Sequence, residues 1–227
     1  MKHLYTFLIL FLVGKLLAAM NPVLDEAIFY LPDGKSYIET YILIPSSDIK
    51  FSENKDAKLQ AKIEIIMLFK QNKQIVKFDK YVLNSKAVAD SSLINFNLLD
   101  IKRNSLEYGE YELEVSFTDL NNTQNKSSIN KSIKVSQLPS NQGFISDVIF
   151  LESYKKATVA SENVKNGYEL VPNIATYYPE QFDKLAFYIE VYNMMKNVGE
   201  ETDFLLRYSV VKKNTLKIIE NVSKFQK

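Results

Sequence analysis

With 227 residues, 46% of them apolar, the chain has the material for one large or two ordinary domains with apolar cores. Its 28 basic and 27 acidic residues nearly cancel, so there is no electrostatic reason to expect nucleic acid. It has no cysteine, and its single histidine is His3; beyond the first residues this excludes Ser-His and Cys-His nucleophiles and zinc sites built on thiolate or imidazole.

Residues 1–19 have the order of a secretion signal. Lys2 and His3 give a basic start, Leu4 to Val13 an apolar run, and Leu17-Ala18-Ala19 small residues for cleavage after Ala19. The run is short for a membrane span, which takes about 20 apolar residues. An uncleaved N-terminal anchor is the alternative. Lys2 and Lys15 leave with the leader, so 26 basic residues face 27 acidic ones, a net charge of −1 with no polybasic patch for an anionic membrane. Export without disulfides points to a bacterial envelope more than to the eukaryotic secretory route.

Beyond the leader, apolar residues alternate with polar ones, the mark of half-buried antiparallel strands. Ala27 to Leu31 is the first strand and ends at the turn Pro32-Asp33-Gly34. Tyr37 to Ile44 follows, closed by Pro45-Ser46-Ser47-Asp48. In Leu59 to Phe69, residues Ile63, Ile65, Met67 and Phe69 share a face, and Gln71-Asn72-Lys73 turns the chain into Ile75 to Leu83. Leu93 to Leu99 also alternates. Tyr111 to Phe117 places Tyr111, Leu113, Val115 and Phe117 inward; a polar loop, Asn121 to Ser128, leads to Ile129 to Val135. Seven short strands bounded by turns resemble an immunoglobulin-like sandwich. The Tyr108-Gly109-Glu110-Tyr111 segment fits either the tyrosine corner of such sandwiches or simply another core aromatic.

The stretch 139–144, with Pro139, Ser140, Asn141 and Gly143, is the linker expected between a domain over 20–138 and a second over 145–227. After it the pattern restarts. Tyr188-Ile189-Glu190-Val191-Tyr192 echoes Tyr37-Ile38-Glu39-Thr40-Tyr41, and Asp147 to Leu151 echoes Glu26 to Tyr30. Strands are expected at Asp147 to Leu151, Gly167 to Val171, Leu185 to Tyr192, Phe204 to Val211 and Thr215 to Val222. Five strands leave sheet edges for another segment to cover.

Few residues offer chemistry. If Met194 to Asp203 is a hairpin loop, Glu190 falls opposite Arg207, either as a structural cross-strand pair or as part of a ligand site. Tyr177 and Tyr178, near Tyr154 and Tyr168, form an aromatic loop region suited to core anchoring or to stacking on a sugar or peptide. There is no calcium-loop spacing and no glycine-rich phosphate loop.

Several segments, taken in order, resemble the N-terminal β region of the bacterial, Bacteroidetes-type GWxTD-domain family. They are Ala27 to Lys35 with Tyr37 to Tyr41, Gly109 to Leu113, Ile145-Ser146-Asp147, Asn166-Gly167 with Pro172-Asn173, and Phe187 to Asn193. The Gly-Trp-x-Thr-Asp motif itself is absent, and the chain has no tryptophan. The resemblance implies exported sandwich domains and carries over no activity. The expectation is therefore an all-β protein: two tandem immunoglobulin- or fibronectin-III-like antiparallel sandwich domains behind a signal peptide, exported to the periplasm or beyond. It would be a non-catalytic scaffold or protein-interaction module of the envelope. It would use no cofactor or metal and would have no membrane span after cleavage. The alternative is a carbohydrate-binding module using loop tyrosines; contacts are expected at Tyr177, Tyr178, Glu190 and Arg207.

Overall fold

The structure is a computed structural model that describes residues 19–175, 177–180, 184–193, 206–219 and 224–226. The signal-peptide reading, the loop at 194–203 and the ends of the last two expected strands lie on residues outside these. The described chain is all-β, with antiparallel sheets and two short 3-10 turns.

The strands in chain order begin with β1 (Val23–Tyr30), β2 (Ser36–Ile44), β3 (Ser52–Glu53), β4 (Leu59–Gln60), β5 (Lys62–Gln71) and β6 (Gln74–Asn84). Next are β7 (Leu98–Ser105), β8 (Gly109–Asp119), β9 (Lys126–Val135), β10 (Phe144–Ile145), β11 (Ile149–Lys156) and β12 (Val164–Lys165). The remainder are β13 (Tyr168–Pro172), β14 (Ala186–Tyr188), β15 (Val191–Tyr192), β16 (Leu206–Tyr208), β17 (Val211–Lys212), β18 (Lys217–Ile218) and β19 (Lys224–Gln226).

Backbone contacts gather the chain into two compact units. One takes residues up to Leu24 with Ile42–Asp100 and Glu110–Ile133; the other takes Asp25–Tyr41, Ile101–Gly109 and Lys134–Lys227. Their composition differs from the sequential segments 20–138 and 145–227, and the division falls inside β1, β2, β7, β8 and β9. Long-range bonds draw the N-terminal hairpin into the second unit. Ile28 N donates to the Asp147 carboxylate at 2.8 Å, and Tyr30 N donates to the Tyr192 hydroxyl at 3.0 Å.

In the first unit the main sheet has the order β6-β5-β8-β9. Ile63, Ile65, Met67 and Phe69 of β5 stand in the ladder beside Asp119, Phe117, Val115 and Leu113 of β8. Period-two alternation puts these rows on one face, where all are buried and all but Asp119 are apolar. Each such side chain contributes about 1.5–3 kcal/mol on burial. Buried Asp119 fastens the adjoining loops by accepting from the backbone N of Lys50 and of Asn121.

In the second unit the sheets include β12-β13-β11-β14 and the pairs β10-β15, β16-β19 and β17-β18; most of the sheet β1-β2-β7 also belongs here. β1 and β2 are joined by the expected turn, in which Gly34 has φ +86° and its N–H donates to the Leu31 carbonyl. β2, the central strand, is buried on both faces except for partial exposure at Tyr37 and Leu43.

Two elements depart from expectation. Leu93 to Leu99 is not a strand. Asp90 caps a 3-10 turn over Ser91–Leu93 by accepting from Ser92 N at 2.7 Å, and such local side-chain bonds compete with a ladder. The strand instead runs from Leu98 to Ser105 and carries Asp100, Lys102 and Arg103, which hid it from hydropathy.

Candidate functional site

The second unit holds a cluster of charged residues built on both copies of the Tyr-Ile-Glu-x-Tyr pattern. On β2, alternation points Tyr37, Glu39 and Tyr41 to one side. Glu39 is 1% exposed, and its carboxylate is fully engaged. Arg103 Nε on β7 donates to Oε1 at 2.5 Å, Lys165 Nζ lies 3.0 Å from the same oxygen, and the Tyr41 hydroxyl donates to Oε2. In the second copy, Glu190 accepts from the hydroxyls of Tyr188 at 2.8 Å and Tyr192 at 2.5 Å.

Lys165 joins the two copies. Its ammonium is 3.0 Å from Glu39 and 3.5 Å from Glu190, and it donates to the Tyr37 hydroxyl at 3.2 Å. It also sits 3.3 Å from the centroid of the Phe29 ring and 5.4 Å from those of Tyr37 and Tyr188. A buried lysine is costly unless paired, and here two carboxylates and an aromatic cage supply the compensation. The order Asn166-Gly167 places it. Their φ angles of +48° and +81° turn β12 back onto β13, with Lys165 opposite Tyr168.

Burial sets the titration of the cluster. It raises Tyr37, Tyr41, Tyr188 and Tyr192 above the ordinary tyrosine value, and the neighbouring carboxylates push the same way. Burial lowers Lys165, although Glu39 and Glu190 oppose it. For Arg103, burial also pulls downward, but the hydrogen bond and charge of Glu39 outweigh it and the value rises.

The residues expected to contact a ligand have separate roles. Glu190 enters the cluster. Arg207 lies on β16, where its ladder partner is Phe225; the hairpin that would set it opposite Glu190 runs through undescribed residues. Tyr177 is 68% exposed, with its carbonyl held by the Asn173 side chain at 3.0 Å. Tyr178 is an anchor, its hydroxyl donating to the Leu151 carbonyl at 3.1 Å. Tyr154 and Tyr168 pack edge-on at 6.2 Å. Sequence reasoning missed Glu39, Arg103 and Lys165. The repeated Tyr-Ile-Glu-x-Tyr was their signal, because a glutamate set among buried tyrosines needs cationic partners.

In the first unit, β6 is a sheet edge among the described residues. It is 11 residues long and exposes Ile75, Val76, Phe78 and Val82, with Phe78 69% accessible. Its other row, Lys77, Asp79, Tyr81 and Leu83, is half-buried beside Phe69, Met67, Ile65 and Ile63 of β5. The ladder shifts register between Phe69 and Lys70. Charges placed inward and a register break discourage indiscriminate edge pairing.

Among the described residues, no helix is long and apolar enough to cross a membrane, and no group of three or more His, Cys, Asp or Glu is placed to hold a metal. No family model, curated protein or solved structure matches this chain.

Proposed function

We propose that this protein is a non-catalytic interaction module of a bacterial envelope, exported by its leader, that takes an extended segment of a partner protein by strand addition along β6. The observation that carries the reading is the long edge strand with exposed Phe78, Ile75, Val76 and Val82. A partner strand would satisfy the edge's backbone groups and cover the apolar side chains, and the alternation would select its sequence. Burying a phenylalanine is worth about 1.5–3 kcal/mol, enough to make Phe78 the anchor. The inward charges and the register break favour a matched partner over self-aggregation. The resemblance to the GWxTD-domain family supports the envelope setting.

The test places a photo-reactive phenylalanine analogue at position 78 and, as control, at exposed Val159. After irradiation in envelopes of the source bacterium, position 78 should give a discrete adduct that position 159 does not. Phe78→Asp should abolish the same adduct when the probe sits at position 82, with stability changed by no more than about 0.5 kcal/mol, as for an exposed site. Equal adducts at 78 and 159 would sink the reading.

A further inference from the structure

The second unit contains a cleft of about 420 Å³ beside the charged cluster, within the range of small-molecule sites. Its polar wall comprises Tyr37, Arg103, Ser105, Lys165, Asn166 and Glu190. Leu31 and Val164 supply apolar surface.

The charges in this wall are unequally presented. The Arg103 side chain is 40% exposed, against 1% for Glu39, 7% for Lys165 and 19% for Glu190. A solute in the cleft therefore meets the guanidinium first, while Glu39 is buried and Glu190 in the wall is engaged by the hydroxyls of Tyr188 and Tyr192. Arg103 is also held still. Nε donates to Glu39, and Nη2 donates to the Glu162 carbonyl at 2.6 Å. These bonds occupy two of the five guanidinium N–H donors, and the planar group suits a carboxylate.

Asn166 is fixed as well. Its left-handed backbone belongs to the Asn-Gly turn, and its Nδ2 donates to the Tyr188 hydroxyl at 2.8 Å; that hydroxyl in turn donates to Glu190. The cleft thus offers one exposed, positioned cation, an amide for hydrogen bonding, and aromatic and aliphatic carbon for a non-polar face. A ligand that uses all three has a carboxylate, hydroxyl groups and a compact ring with a face of C–H groups.

We propose that this cleft binds a small sugar acid, its carboxylate on Arg103, a hydroxyl group on Asn166, and its ring against Tyr37 and Leu31. A neutral sugar gives the guanidinium N–H donors not used by Glu39 and Glu162 no charged acceptor, and a simple carboxylate leaves the amide and the apolar wall unused. The site is independent of the strand-addition reading, because its residues belong to the other compact unit.

The experiment titrates the whole protein calorimetrically with D-galacturonate, with D-galactose and acetate as comparison arms. Galacturonate should saturate while the other two do not. Arg103→Lys keeps the charge for Glu39 but loses the planar fork, and should weaken binding about tenfold. Asn166→Gly tolerates the left-handed backbone and should weaken it several-fold. Thermal unfolding of each variant, unchanged from the parent, shows that the loss is local. Absence of saturation at about 10 mM galacturonate, weaker than any useful affinity, would overturn the proposal. So would equal binding of galactose or acetate, or an unchanged affinity in folded Arg103→Lys protein.

Discussion

The chemistry of this protein is concentrated at Glu39. One carboxylate accepts from Arg103, Lys165 and Tyr41 in a site that water scarcely reaches. Removing one member of a buried ion pair typically costs about 3–5 kcal/mol, because the remaining charge is left desolvated. Glu39→Gln should therefore destabilise the fold by about 3 kcal/mol or more in urea denaturation. Glu190→Gln should cost clearly less, since Glu190 is more exposed and Lys165 keeps Glu39. Equal losses for the two variants would show that the cluster is not organised around Glu39. The sequence displayed both glutamates inside their tyrosine frames, but nothing near them in the chain named Lys165 or Arg103. Lys165 is 126 positions from Glu39, a separation that only the fold closes.

At the level of elements, alternation was readable where one face is apolar. β5 and β8 follow the pattern of their sequence, and their inward residues are those that period two selects. Reading failed where polar chemistry replaces hydropathy. β7 was hidden because its buried positions include the polar Asp100 and Asn104 and it also carries Lys102 and Arg103, while Asp90 and the serines after it turned an alternating stretch into a capped 3-10 turn. The hairpin between β5 and β6 was legible in Gln71-Asn72-Lys73, although its turn is not ideally built. Asn72 and Lys73 both have positive φ, +49° and +66°. Asparagine accepts this conformation readily; lysine pays about 1 kcal/mol for it. Lys73→Gly would give the favoured Asn-Gly turn and should stabilise the protein by about 0.5 kcal/mol, after allowing for the greater freedom of glycine in the unfolded chain. A loss of stability in urea denaturation would mean that the Lys73 side chain contributes more than its backbone costs.

At the level of the whole molecule, period-two alternation was enough to indicate an all-β protein, and composition that apolar cores hold it. The Pro- and Gly-containing stretch at 139–144 suggested two domains laid end to end. Contacts follow a different division, because β1, β2 and β7 supply the second unit with Phe29, Glu39 and Arg103. Composition shifts detect linkers but not strands contributed from a distance. Residues 145–227 on their own keep Glu190 but lack Glu39, Tyr37 and Phe29 around Lys165 and Tyr30 beside Tyr192, and should not fold.

The most direct measurement is amide hydrogen exchange on residues 145–227 expressed alone, compared with the same residues in the intact protein. Fast exchange throughout the fragment, with protection of β11 and β13 only in the whole chain, is the result that the discontinuous unit requires. A fragment that unfolds cooperatively, with β11 and β13 protected as in the intact protein, would contradict it and restore the end-to-end arrangement.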